Sequence, residues 1–180
     1  MITIKNNKLI NYGNRGMTLE SDINLTNDYY KEKDIALIYK KPIPIKVLKV
    51  NETKTRIKDG FYEQKSTLDY SGIYHEKYLE FDAKETNSKT SFPLSNIHPH
   101  QIEHIKKVIK QKGIVFLIIM MNDKFYLLKG EDLIDYINSN ERKSIEYDYI
   151  VKNAYIIKES YIPRLKYLDT VDIAYFKEEV

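Results

Sequence analysis

Two acidic residues and one lysine near the middle of the chain form a pattern that suits phosphodiester hydrolysis. One residue separates Asp82 from Lys84, and Asp69 precedes them across a predicted hairpin. Carboxylates are ligands that Mg²⁺ prefers, and a bound Mg²⁺ neutralises the charge of phosphate oxygens. An ammonium beside the metal stabilises the charge that develops in the transition state, or orients the attacking water. These residue types favour a metal-dependent phosphodiesterase.

The spacing of Asp82 and Lys84 is weak evidence taken alone. An acid two residues before a lysine occurs four times, at Glu52/Lys54, Glu63/Lys65, Asp82/Lys84 and Glu141/Lys143. Only the Asp82 copy lies in a predicted strand with apolar neighbours on both sides and follows a second acid. The alternative is an ion pair on a strand surface, worth ~0 to 1 kcal/mol and without function. The spacing leaves both interpretations open.

The histidines suggest a second kind of metal site. His100 and His104 are four residues apart on a predicted helix, and His98 lies just upstream. Zinc is the weaker hypothesis, because no acid lies between His100 and His104 as in a zinc protease and the chain has no cysteine. Gln101 on the same helix is a neutral oxygen donor, although such a residue is ordinarily on the surface.

The elements around these residues alternate between strands and helices. In residues 78–84, Leu79 and Phe81 point one way and the charged residues the other, which predicts one core face and one charged face. Periodicity predicts helices near 18–33, 98–112, 130–139 and 168–176, and strands near 35–39, 114–121 and 125–128. This order predicts an α/β sandwich around a mixed sheet.

The segment from residue 41 to residue 65 has a different character. Pro42 and Pro44 force an extended backbone, and the following alternation with a turn at Asp59-Gly60 predicts two strands or one long hairpin. Residues 40–65 carry eight cations and three acids, a net charge of +5, whereas the whole chain carries +3. A phosphate-binding arm that projects from the body fits this pattern, and a solvated basic loop is the alternative.

The composition is that of a single folded domain spanning residues 1–180. The chain is 42% hydrophobic and 31% charged, with 11 glycines and prolines together, which excludes disordered and collagen-like classes. The absence of cysteine excludes disulfides and thiolate metal sites. No apolar run approaches the ~20 residues that span a bilayer, and the first residues lack a signal-peptide core. We expect a cytoplasmic protein without a membrane partner.

Several stretches of the chain match the signature of a known family. They are Asn14-Arg15-Gly16-Met17-x-Leu19-Glu20, Lys40-Lys41-Pro42-x-Pro44, Ser66-Thr67-x-Asp69-Tyr70-x-Gly72-x-Tyr74, Phe81-x-Ala83-Lys84-Glu85-Thr86, Asn96-Ile97-His98-x-His100-Gln101 and Tyr161-x-Pro163-Arg164-x-x-Tyr167. On these residues the chain resembles the RecU family of Holliday junction resolvases from low-GC Gram-positive bacteria. The matching stretches extend over nearly the whole chain.

The resemblance implies a fold, a cofactor and a site. The implied fold is a restriction-endonuclease-like core with a PD-(D/E)xK nuclease site. A stalk formed by residues 41–65 projects from this core, and the protein is a homodimer. The implied roles are Mg²⁺ ligands for Thr67, Asp69, Asp82 and Gln101, and transition-state stabilisation for Lys84. Asp69 and Asp82, with Lys84, are the expected catalytic residues. The family usually has Glu at position 82 and Asp at position 80, so Asp82 and Glu80 are exchanged in this chain.

The predicted function is Mg²⁺-dependent cleavage of a four-way DNA junction by paired nicks in opposing strands, in recombination and repair. The predicted DNA-binding residues are Arg15, Lys40, Lys41, Lys46, Lys49, Lys54 and Arg56. One alternative is a non-catalytic junction-binding or strand-annealing protein that modulates a recombinase, and another is a nuclease for ordinary duplex. The expected location is the cytoplasm, in association with the nucleoid. Direct binding of a RecA-type recombinase or a branch-migration motor is open from the sequence.

Overall fold

The computed structural model describes residues 15–62 and 67–177, without the side chains of residues 15–18. The helices are α1 (Arg15–Glu32), α2 (Pro99–Lys110), α3 (Gly130–Ser139), α4 (Tyr147–Asn153) and α5 (Tyr167–Val171), with a 3₁₀ turn at Leu94–Asn96 and a π-helix at Asp172–Phe176. The strands are β1 (Leu37–Lys40), β2 (Ile45–Val50), β3 (Ile57–Tyr62), β4 (Tyr70–Tyr74), β5 (Lys77–Glu85), β6 (Ser91–Pro93), β7 (Ile114–Met121), β8 (Lys124–Lys129), β9 (Ser144–Glu146) and β10 (Tyr155–Ile157).

A six-stranded mixed sheet forms the body, in the order β1-β4-β5-β7-β8-β10. The central strands β5 and β7 are parallel, and the other neighbouring pairs are antiparallel. The parallel pair needs a long crossover, and residues 86–113, which contain α2, supply it. The expected mixed α/β architecture, with helices flanking a mixed sheet, is confirmed.

Two apolar clusters lie on opposite faces of this sheet. On one face, α1 and α5 contribute Leu19, Ile23 and Leu168, which pack with Phe81 and Phe116 of the central strands. The other face is covered by residues from α2, α3 and α4. The result is a three-layer sandwich. The predicted helices near 98–112 and 130–139 and the strand at 114–121 are confirmed, whereas β6, β9, β10 and α4 were not predicted.

Strand β5 is buried on both faces at its centre, which corrects one expectation. Phe81 packs in the core as the alternation predicts, but Glu80 and Asp82 on the opposite side are also fully buried. The predicted charged face is therefore not a solvent-facing surface. It lies on the side of the sheet that α2 covers, since Gln101 and His104 of α2 contact Asp82 and Glu80. The edges of β5 are also covered, because this central strand pairs with both β4 and β7.

Strands β2 and β3 form a separate antiparallel hairpin outside the main sheet. The predicted turn at Asp59-Gly60 is wrong, since both residues lie within β3. The chain reverses between Asn51 and Arg56 instead, where Asn51 Oδ1 accepts hydrogen bonds from the backbone N–H groups of Thr55 and Arg56 at 2.8 and 2.9 Å. An Asn side chain that closes a turn in this way competes well with an Asp-Gly pair. Every residue of β2 and β3 is exposed.

The edge strand β1 holds the start of this hairpin against the sheet. Gly72 of β4 allows β1 to lie close to β4, because a Cβ at position 72 would lie 2.0 Å from the carbonyl oxygen of Leu37. The main-chain N–H of Lys41 then donates to the carbonyl of Asp69 at 2.7 Å, one residue beyond the ladder. Within the parts of the chain that the structure describes, no helix combines the length and apolar character needed to cross a bilayer.

Candidate active site

Strand β5 places the predicted acid and lysine side by side. Asp82 and Lys84 are two residues apart on a strand, so they share a face, and Lys84 Nζ lies 2.9 Å from Asp82 Oδ2. The Asp82 side chain is fully buried, whereas 18% of the Lys84 side chain is exposed. The structure therefore brings the two residues together, with the lysine between the carboxylate and solvent.

Helix α2 contributes a second contact to the Asp82 oxygen that Lys84 approaches. Gln101, only 4% exposed, donates from Nε2 to Asp82 Oδ2 at 2.6 Å and to the carbonyl oxygen of Thr67 at 2.9 Å. Its Oε1 accepts from the backbone N–H of His98 at 3.0 Å, at the start of α2. The orientation of the amide follows from these partners, because Nε2 faces two acceptors and Oε1 faces a donor. Direct metal ligation by Oε1 would require the carboxamide to rotate.

Asp69 approaches Asp82 from the loop that leads into β4. Burial, opposed by the nearby Lys84 and reinforced by the carboxylate of Asp69, raises the pKa of Asp82 to about 6. The Asp69 carboxylate therefore lies close enough to Asp82 to disfavour its charged form. The backbone of Thr67 and Asp69 is tied to α2 and to Lys41 respectively. The four predicted ligands thus come from one loop, one strand and one helix.

The donor set suits a hard cation that keeps part of its water shell. Asp82 Oδ1 is buried and has no hydrogen-bond partner among the residues that the structure describes. Such an orphaned acceptor is rare unless a metal or water completes it. Within residues 15–62 and 67–177 no group of three or more acidic or histidine side chains is arranged to hold a metal. Mg²⁺ needs less, since it is commonly bound by one or two carboxylates together with waters and substrate phosphate.

A second buried carboxylate, which sequence reasoning assigned no role, lies on the same face of β5. Glu80 accepts from Tyr78 Oη at 2.7 Å and lies 2.7 Å from His104 Nε2, and it forms an ion pair with Lys41. Burial alone would raise its pKa, but the bonds from Lys41, His104 and Tyr78 hold the pKa of Glu80 below its ordinary value. The period of two along β5 was the signal that could have found it, because Glu80 alternates with Asp82 and Lys84.

The predicted DNA-binding residues fall into three groups. Lys46, Lys49, Lys54 and Arg56 lie on the exposed β2–β3 hairpin or its turn. Lys40 forms an exposed ion pair with Glu20, and Lys41 points inward to Glu80 and to Thr67 Oγ1. Arg15 opens α1, but its side chain lies outside the described residues. DNA binding by these residues stays a prediction, and the ammonium of Lys41 is engaged inside the protein.

His98, at the start of α2, and His100 and His104 within it have protein groups close to them. His104 faces Glu80, and the rings of His98 and His100 stack with their centroids 5.4 Å apart. Each of the three is therefore placed by local packing.

The fold and the site define a mixed α/β protein whose central strand carries an acid–lysine pair beside a second acid. The chain also matches the family model described as "Recombination protein U" over residues 14–173, and it belongs to this family.

Curated relatives agree with the family assignment. The chain is 45% identical over 171 residues to the Holliday junction resolvase RecU of Bacillus licheniformis, covering 92% of this chain and 86% of the relative. It is 46% identical over 171 residues to the protein of the same name from Bacillus subtilis strain 168, covering 92% and 83%. A solved structure of Archaeoglobus fulgidus Hjc, a Holliday junction resolvase, aligns with a TM-score of 0.45 and 8% identity over 79% of this chain and 92% of that chain. A likeness this remote carries no argument about function.

Proposed function

We propose that this chain is a Holliday junction resolvase, a Mg²⁺-dependent endonuclease that nicks two opposing strands of a four-way DNA junction in recombination and repair. The main support is the buried Asp82, with Oδ1 free of hydrogen bonds and Lys84 beside it, next to Asp69. Family membership and the names of the curated relatives supply the substrate.

The residues divide the work of hydrolysis among them. Asp82 and Asp69 would hold the cation, and Gln101 keeps Asp82 Oδ2 fixed so that Oδ1 remains available. Thr67, which lies in the same loop as Asp69, would add a further oxygen ligand. Lys84 lies at the solvent side of Asp82, where its ammonium would stabilise negative charge on the phosphate. In that step a water oxygen bonds to phosphorus and gives a proton to solvent, while one ester P–O bond breaks and the leaving oxygen takes up a proton from solvent. A bound Mg²⁺ supplies neutralisation of the phosphate charge and orientation of the water.

Cleavage of a synthetic four-way junction tests this proposal. Wild type should produce symmetric nicks in Mg²⁺ and none in chelator, and Asp69→Asn should lose cleavage while still binding the junction. Comparison with the separate duplex arms of the same junction distinguishes a junction enzyme from a duplex nuclease. Binding without nicks at any Mg²⁺ concentration would support the non-catalytic alternative, and equal cleavage by wild type and Asp69→Asn would remove the assigned site.

The hairpin supports assembly of the protein as a homodimer. Its exposed apolar side chains are Ile45, Val47, Leu48, Val50, Ile57, Phe61 and Tyr62. An isolated two-stranded hairpin is marginal in water, and an apolar surface of this extent normally has a partner. A second copy of the chain is the occupant that we propose. An isologous dimer would present two equivalent sites to a substrate with two-fold symmetry, which suits paired nicks.

We expect the stalk lysines to contribute to junction affinity. Replacing Lys46, Lys49 and Lys54 by Ala should weaken junction binding. It should also make the negative slope of log affinity against log salt shallower by up to about 2 to 3, because each phosphate contact contributes ~0.9 to its magnitude. The fold should persist, since all three side chains are in exposed positions. Filter binding or anisotropy at several salt concentrations measures this slope. Unchanged affinity and slope at moderate salt would count against the stalk as a DNA-binding element.

Binding of a RecA-type recombinase or a branch-migration motor, and a cytoplasmic, nucleoid-associated location, belong to this proposal as expectations from the family resemblance. Pull-down with each purified protein tests the first, and fluorescence imaging of a tagged chain tests the second.

A further inference from the structure

Lys41 makes an unusual set of contacts for a residue next to an exposed hairpin. Its ammonium binds Glu80 and Thr67 Oγ1, and only 23% of its side chain is exposed. Its backbone N–H donates to the carbonyl of Asp69 at 2.7 Å. Lys41 therefore touches the loop of the candidate ligands twice, once through its main chain and once through its side chain.

Glu80 extends these contacts to three elements of the body. Thr67 Oγ1 donates to Glu80 Oε1 at 3.3 Å, so the hydroxyl bridges the loop and β5. Tyr78 and His104 bind the other oxygen, Glu80 Oε2, each at 2.7 Å. The Glu80 carboxylate is thus an anchor that β5 and α2 hold in place. Its ion pair with Lys41 fixes the residue that directly precedes Pro42, at the start of the stalk.

Resting on the function proposed above, we propose that the Lys41–Glu80 pair is a positioning device that couples the root of the stalk to the ligand loop 67–69. A displacement of the stalk root must act on Lys41, because the hairpin begins three residues after Pro42. Lys41 passes that displacement to Thr67 and Asp69 through the two contacts. Lys41 thus acts on catalysis through the placement of the ligands, and not by contacting the phosphate.

The alternative is that the pair serves only stability. Breaking one partner of a buried ion pair destabilises a fold strongly, whereas removing both partners is often neutral. The double variant Lys41→Met/Glu80→Gln separates the two roles, because it removes the interaction without leaving a buried charge unpaired.

Three measurements on the full-length double variant test the coupling. We expect thermal stability close to wild type. We also expect unchanged junction affinity in Ca²⁺, because the Lys41 ammonium is bound to Glu80 and Thr67 Oγ1; weaker affinity in Ca²⁺ would assign Lys41 to DNA binding and overturn the positioning role. At saturating junction we expect a cleavage rate about 10- to 100-fold lower, because displacements near 1 Å at a reacting centre have effects of this size, together with a higher Mg²⁺ concentration for half-maximal rate. Lys106→Met/Glu103→Gln is the matched control, since this Lys–Glu pair on α2 is 2.8 Å apart and exposed, and it should behave as wild type.

Each outcome decides between the roles. A stable double variant that cleaves at the wild-type rate with the wild-type Mg²⁺ dependence would overturn the coupling and leave the pair a purely structural one. Should the double variant unfold, Lys41→Arg, which keeps the charge on a longer side chain, must reproduce the raised Mg²⁺ requirement, and wild-type behaviour of Lys41→Arg would also overturn it. Failure of the functional proposal is a separate result, because wild type would then cleave no junction.

Discussion

Replacing Asp82 by Asn should abolish junction cleavage and at the same time make the metal-free protein more stable near neutral pH. Cleavage should fall by about 10³-fold or more, because losing a metal ligand removes several kcal/mol of transition-state stabilisation and each 1.36 kcal/mol is tenfold in rate. Stability should rise because the ionised Asp82 is an unfavourable buried charge, which the proposed function explains as a metal ligand.

The pH dependence follows from the direction of the shift. Burial, opposed by Lys84, raises the pKa of Asp82 from 3.8 to about 6 in the folded protein. A carboxyl whose folded pKa is raised destabilises the fold when it is ionised, above about pH 6, and this cost disappears as the pH falls toward 4. At neutral pH the cost is on the order of 2 to 3 kcal/mol. Asn avoids it and keeps an oxygen that accepts from Gln101.

Thermal unfolding in chelator measures the effect on stability. At about pH 7.5 the melting temperature of Asp82→Asn should exceed that of wild type by several degrees, since 1 kcal/mol is about 2 to 4 °C at this size. The difference should vanish near pH 4, and Mg²⁺ should stabilise wild type but not the variant. Asp135→Asn, an exposed acid on α3, is the control and should change neither property. A lower melting temperature for Asp82→Asn at pH 7.5 would show that Asp82 is a structural acid.

Replacing Glu80 by Gln should have the opposite effect on stability. Glu80 is as deeply buried as Asp82, but its carboxylate has partners at both oxygens and a pKa below the ordinary value. Removing its charge leaves the Lys41 ammonium without a counter-charge, although Thr67 Oγ1 still contacts it, and breaking a buried ion pair in this way costs up to about 3 to 5 kcal/mol. A carboxylate with a lowered pKa contributes stability above its unfolded pKa and loses it as the pH falls through the folded value.

Chemical denaturation at neutral pH, with Glu103→Gln as the control, measures this loss. Glu103 has an exposed lysine partner on α2, so its replacement should leave the unfolding midpoint unchanged. Equal midpoints for Glu80→Gln and wild type would contradict the reading of Glu80 as an anchor. Two carboxylates on one strand face, two residues apart, thus have opposite expected effects, and the contrast separates an acid kept for a ligand from an acid kept for the fold.

Local signals in the sequence predicted the elements well where they were strong. The apolar run of β7 and the helical period of α2 are each visible within one window of residues, so their bounds were predicted within two residues. The hairpin turn was not, because the Asp59-Gly60 signal competes with Asn51, whose side chain closes the turn from four and five residues away. Turn propensity alone does not weigh such a contact.

The candidate site was predictable in its residue types but not in its environment. Spacing and family resemblance pointed to Asp69, Asp82 and Lys84, and the structure brings all three together. The burial of Glu80, the inward orientation of Lys41 and the amide direction of Gln101 depend on α2 covering a central parallel strand. That arrangement is set by pairing between segments distant in the chain, which no local pattern encodes.

Locating the metal itself is the most direct measurement. Crystals of the protein soaked in Mn²⁺, which replaces Mg²⁺ and scatters anomalously, should show a peak bonded to Asp82 Oδ1 and to the Asp69 carboxylate, within reach of a phosphate that Lys84 also contacts. A peak at these two carboxylates in wild type and its loss in Asp82→Asn is the predicted result. The contradicting result is Mn²⁺ at full occupancy elsewhere, with none at Asp69 and Asp82, in crystals of protein that cleaves junctions in Mn²⁺ solution.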